Sequence, residues 1–256
     1  MPSKFQTRRL AIAYLYGQFD IGSQLGPDLY SKTNQAVTDD YRMTALENPP
    51  GRIAMKRDLE GPRPSVLAVT LDQFRPKVSR YVCEVTFPHA LPDQIVREVF
   101  DESYGAFYSL VPDRNLKSVE VNFRASFKAP CGDAAQFMTE RLTKVPSGEN
   151  AILGRVIASQ GVVFQLPPGL GGDISPEGAG LRITVEPLRE DPKQIYVETV
   201  CAWQRIELNL PAGAPEALRE SVPKVLNAEE KKPTDYIAAA LDFCESKLHH
   251  FLTGEE

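Results

Sequence analysis

The stretch SVEVNFRASFKAP, residues 118–130, decides the fold class. Val119, Val121, Phe123, Ala125 and Phe127 alternate with Glu120, Asn122, Arg124, Ser126 and Lys128. Successive strand side chains point to opposite faces, so this pattern buries one face and wets the other. A sheet with one wet face is antiparallel, because doubly covered parallel strands read as continuous apolar runs. Pro130 lacks a backbone donor and ends the strand.

Outward from this strand the periodicity changes repeatedly. Upstream, Leu10 to Phe19 reads as a first strand. Pro27 opens a helix carrying Leu29, Thr33, Ala36, Val37 and Tyr41, and the segment NPPG, residues 48–51, ends it. Arg52 to Arg57, Ser65 to Leu71 and Val78 to Phe87 read as strands, followed by a helix with a stripe of Ile95, Val96, Val99, Phe100, Ser103 and Phe107. Downstream, a helix runs from about Asp133 to Val145, and Ala151 to Leu166 is a long mixed strand region. Leu181, Ile183 and Val185 mark another strand, and Ile195 to Leu210 a long one. Its apolar parity switches between Trp203 and Ile206, which predicts a bulge there. Two helices close the chain, one from Pro215 and one carrying Ile237, Leu241, Cys244, Leu248 and Phe251. Runs of adjacent strands broken by helices predict an α+β fold, with a largely antiparallel sheet and helices packed on one face. The order strand, helix, strands occurs twice. Two similar α+β units, residues 1–112 and 113–256, are therefore expected, or one continuous domain.

Bulk properties exclude several classes. A chain of 256 residues buries a full core without staples. The net charge of −5 disfavours non-specific nucleic-acid binding, although 29 basic residues leave room for a local basic face. Cys83, Cys131, Cys201 and Cys244 match neither a zinc site nor a disulfide scaffold, so a cytoplasmic location is expected, with neither metal nor cofactor. The stretch Leu10 to Tyr16 after Lys4, Arg8 and Arg9 reads as a strand rather than a signal peptide, and no segment has the length of a membrane span.

The loop QLPPGLGGDISPEGAG, residues 165–180, holds five glycines. A Walker loop needs Lys and Ser or Thr after its last glycine, and Asp173 and Leu181 stand in those places. A strand follows rather than a helix, and Pro167, Pro168, Asp173 and Glu177 are hostile to a phosphate. It reads as a strand-to-strand loop. Cys131 follows a strand and precedes a helix N-terminus, an electropositive setting for a thiol, and His89 is the one histidine to pair with it. His249 and His250 suit the end of the last helix. Arg8, Arg9, Arg124 and Lys128 form a second candidate, a basic ligand-binding face.

The order of elements resembles an uncharacterised, sporadically distributed bacterial family of about 260 residues. The resemblance rests on the first strand at Leu10 to Phe19, the central SVEVNFRASF and a final helix like YIAAALDFCESKLHHFLTGE. It implies no activity, so no catalytic residue is carried over, and its patchy distribution points to mobile or defence-linked genes. The expectation is a non-enzymatic interaction module that binds a protein partner or itself. The alternatives are a thiol-dependent hydrolase or transferase using Cys131 and a nucleic-acid-binding accessory factor.

Overall fold

A computed structural model describes residues 4–47, 49–60, 64–86, 95–143, 151–152, 155–156, 160–169, 174–204 and 231–254. Strand β1 (Gln6–Gly17) leads through helix α1 (Leu25–Ala36) to a meander of β2 (Thr44–Ala45), β3 (Arg52–Leu59), β4 (Ser65–Arg75) and β5 (Val78–Thr86). Helix α2 (residues 95–110) starts with π-helical Ile95–Asp101 and continues as α-helical Glu102–Leu110. Strand β6 (Leu116–Lys128) then leads through α3 (residues 134–143) and a small ribbon, β7 (Ala151–Ile152) with β8 (Arg155–Val156). A second meander follows, of β9 (Val162–Leu166), β10 (Gly180–Pro187) and β11 (Gln194–Gln204). Helix α4 (residues 233–253) closes the described chain.

Nine described strands form one sheet in the order β2-β3-β4-β5-β1-β6-β11-β10-β9, and each neighbouring pair is antiparallel. Each meander returns to the strand that began its half, so β5 lies on β1 and β11 lies on β6. The sheet runs unbroken from residues before position 112 to residues after it, through the β1–β6 ladder. This is the expected α+β fold. The parity switch after Trp203 lies outside the described residues, as do residues 205–230 with the expected helix from Pro215. Bulges occur instead at Thr7/Arg9, Leu15/Tyr16 and Gln73/Arg75.

The buried face of the sheet is set by β1 and β6. Leu10, Ile12, Tyr14 and Tyr16 lie in register with Phe123, Val121, Val119 and Leu116, and all eight are buried. Against them α2 lays Tyr104 and Phe107, and α4 lays Tyr236. Tyr104 stacks on Tyr14 at 4.2 Å between ring centroids, Phe107 on Tyr81 at 4.6 Å, and Trp203 meets Tyr236 edge-on at 4.9 Å. Such pairs contribute roughly 0.5–1.5 kcal/mol each beyond their burial. Tyrosine in a core must place its hydroxyl. Tyr16 and Tyr104 hydrogen-bond each other at 3.0 Å, and Tyr14 donates to the Lys231 carbonyl at 2.8 Å. Cys83 donates to the Tyr81 hydroxyl at 3.2 Å, and burial pushes its thiol up to about 12.

Helix ends are closed by distant residues. The α4 N-terminus receives Asp101 of α2, whose carboxylate accepts from the Thr234 backbone N–H at 2.9 Å and from the Thr234 hydroxyl at 2.6 Å. At its C-terminus Gly254 takes the left-handed conformation, φ 75°, that favours glycine. Arg141 donates there to the Leu252 carbonyl at 3.1 Å. His249 is buried between Phe5 and Phe127, with centroids at 5.5 and 5.9 Å, rather than standing free at the helix end.

Removing the Asp101 cap by Asp101→Ala is expected to cost about 1–2 kcal/mol in urea unfolding. Because the hydroxyl bond is lost in either single change, Thr234→Ala added to Asp101→Ala should cost less than the sum of the two single changes. Additive losses would show that Asp101 acts elsewhere.

Candidate functional site

The face of the sheet opposite the tyrosines carries no described helix, and its chemistry is fixed by register. On β1, Arg9 stands directly across from Arg124 of β6, which stands across from Glu198 of β11. Two arginines side by side repel unless each finds an anion. Arg9 turns to Glu84 on β5, its Nε 3.0 Å from Oε2. Arg124 turns the other way, its Nε 2.8 Å from Glu198 Oε1, an oxygen that also accepts from Asn122 Nδ2 at 2.9 Å. Arg80 makes a bidentate pair with Asp72 across β4 and β5, at 2.9 and 3.2 Å. Arg8, on the bulge of β1, reaches Glu190 at 3.3 Å and Ser126 Oγ at 3.4 Å. Between these pairs lies a strip of short apolar side chains: Ala11, Ala13, Ala68, Val82, Val200 and Ala202, most of them half-buried.

Two carboxylates on this face are displaced in opposite directions. For Glu198, burial pushes the carboxyl up, but the Asn122 hydrogen bond and the Arg124 guanidinium outweigh it and hold the group below its ordinary value. For Glu120, burial dominates and the carboxyl lies above its ordinary value, although Arg80 and Arg75 pull it down. Glu198 is held through Oε1 by Arg124 and Asn122, whereas Glu120 is a half-desolvated charge among short side chains.

The residues singled out from the sequence fall in different places. Arg8, Arg9 and Arg124 do come together on this face, but each is matched by a carboxylate, and Lys128 lies exposed at the end of β6. Glu84, Glu190, Glu198, Asp72 and Arg80 escaped the sequence reading, although Arg80 and Glu84 alternate with the apolar positions of β5 as Glu120 and Arg124 do on β6. Cys131 is exposed in the turn before α3 and donates to the Asp133 carbonyl at 3.1 Å. Asp133 caps that helix, its Oδ1 accepting from Ala135 and Gln136 at 2.8 and 3.0 Å, so the helix N-terminal donors are taken. His89 lies outside the described residues. The remaining cysteines, Cys83, Cys201 and Cys244, are buried. Among the described residues no group of three or more His, Cys, Asp or Glu is placed to hold a metal. None of the described helices is long and apolar enough to cross a membrane. In the glycine-rich loop, Gly169 N–H donates to the Glu177 carbonyl at 3.1 Å, and residues 170–173 lie outside the description.

No protein-family model matches the chain. No curated protein matches it either. Among solved structures, the chain is similar to the di-domain ARO/CYC BexL from the BE-7585A biosynthetic pathway. The two share 14% identity over 84% of this chain and 79% of that one, with a TM-score of 0.23. It is also similar to the di-domain ARO/CYC StfQ from the steffimycin biosynthetic pathway, at 12% identity over 94% of both chains, with a TM-score of 0.20. At such scores neither neighbour bears on function.

The raised carboxyl of Glu120 has a definite pH signature. Folding favours its protonated form, so the folded state bears a cost above the folded value that vanishes below the unfolded value, about 4.3. Glu120→Gln should therefore raise Tm at neutral pH and leave it unchanged below about pH 4. An equal gain at both pH values would assign the effect to something other than ionisation.

Proposed function

We propose that this chain is a non-enzymatic binding module that docks a protein on the open face of its sheet, with a second copy of the chain as the occupant its chemistry fits best. The observation that carries the reading is the internal matching of charge on that face. Arg9 with Glu84, Arg80 with Asp72 and Arg124 with Glu198 satisfy one another across the strands, so none of these six charges is free for proton transfer or nucleophilic attack. A two-fold pairing of copies uses the same patch twice, so it would bring the alanine and valine strips of both chains together. Short side chains let two sheets approach closely, with the charged rim setting register. Free cationic rows, which nucleic-acid backbones require, are not what these arginines form. The four free thiols support a reducing, cytoplasmic setting for such a module.

Static light scattering over a concentration series tests the reading. Dimers are expected for the natural chain, and monomers of unchanged thermal stability for Val82→Arg and Val200→Arg, which place charge on the apolar strip. A chain that stays monomeric at about 1 mM, or dimers indifferent to both substitutions, contradicts it. The rival thiol chemistry has its own measurement. Maleimide labelling of Cys131 at neutral pH is expected to run no faster than labelling of a small free thiol, because the Asp133 side chain already occupies the donors of the α3 N-terminus. Labelling tens of times faster would reinstate Cys131 as a nucleophile.

A further inference from the structure

At the β2 edge of the sheet, β3 runs beside the start of α1. A groove of about 510 Å³ opens there between the N-terminal turn of α1, the β2–β3 connection and the start of β3. Its lining is mostly apolar: it includes Ile21, Tyr30, Leu46, Ile53 and the buried Met55, with Pro27, Pro49 and Pro50 stiffening the backbone around it. Tyr30 and Leu46 are 36% and 39% exposed, so both are accessible from solvent. The local sequence explains why the space is not filled. Gly26 faces Ile53, where an added Cβ would sit 3.5 Å from Cγ1, so α1 approaches β3 closely at one point. The chain then swings away through Pro49, Pro50 and Gly51, the last in the left-handed conformation at φ 77°.

One charged residue lines this groove, Arg52, and no acidic residue does. Arg52 stands across from Asp72 on β4, but Asp72 is taken by Nε and one Nη of Arg80, and Arg52 forms no ion pair with a described residue. Asp28 and Glu47 belong to the same segments but do not line the groove. An apolar cleft of ligand-binding size with a single unmatched cation selects a ligand with an apolar body and one negative end. We infer that this groove is a binding site for a small monocarboxylate with a flexible apolar tail, held by Tyr30, Leu46 and Ile53 along the tail and by Arg52 at the carboxylate. The site lies at the sheet edge, away from Val82 and Val200, and does not rest on the open-face docking reading.

Decanoate and decanol, titrated into the full chain by calorimetry, test the site. Saturable binding of one decanoate per chain is expected, with weaker binding of decanol. Arg52→Gln should weaken decanoate about tenfold and leave decanol unchanged, which separates a charge contact from a packing contact. Leu46→Asp and Tyr30→Ala, both at exposed positions, should weaken both ligands, with circular dichroism confirming that the fold persists. The assignment is overturned by the absence of saturable binding, by binding indifferent to Leu46→Asp and Tyr30→Ala, or by Arg52→Gln weakening both ligands equally.

Discussion

The antiparallel pairing of β1 with β6 is the constraint on which everything else depends. Each of these strands is the first of its half, and each is paired on its other side by the last strand of the meander it began. Their shared ladder makes one nine-stranded sheet of two halves, and its register fixes both faces at once. Ile12 opposite Val121 and Tyr14 opposite Val119 set the buried side, while Ala13 opposite Glu120 and Ala11 opposite Asn122 set the other. A slip of one residue would send Tyr14 and Tyr16 into water and Arg9 into the core. The tyrosine hydroxyls raise the specificity further, because Tyr16 must meet Tyr104, and Tyr14 must meet the Lys231 carbonyl, only in one register.

That arrangement spends the helices on one side. Helix α2 is held to the sheet by ring stacking, α4 by an edge-on ring contact, and the two are joined by the Asp101 carboxylate on Thr234. On the other side the strands solve their electrostatics among themselves. The arginines bridge across strands, which fixes Arg9, Arg80 and Arg124 against carboxylates of neighbouring strands.

Much of this was legible in the sequence. The alternation of Val119 to Phe127 against Glu120 to Lys128 predicts both the strand and its two faces, and the stripe of Val99, Phe100 and Phe107 predicts the helix that covers one of them. The strand at Thr44–Ala45 was not legible, because two residues show no period. The long mixed region from Ala151 divides into the short pieces β7, β8 and β9, whose ends no pattern marks. The face itself was half legible. Arg9 and Arg124 stood out as cations, but Glu84 and Glu198, lying 75 and 74 positions away, meet them only through strand order. Strand order depends on which meander returns to which first strand, and periodicity carries no information about that. For the same reason the Asn48 to Gly51 segment read as a simple stop, whereas its prolines form a wall of the edge groove.

Native-state hydrogen exchange tests the central claim most directly. If the β1–β6 ladder joins the two halves into one cooperative unit, the buried-ladder amides of Leu10 to Tyr14 and of Val119 to Phe123 will be the slowest in the chain and will exchange only through global unfolding. Exchange of those amides through a lower-energy opening, with β3–β5 or β10–β11 still protected, would show two separately stable halves and contradict the account.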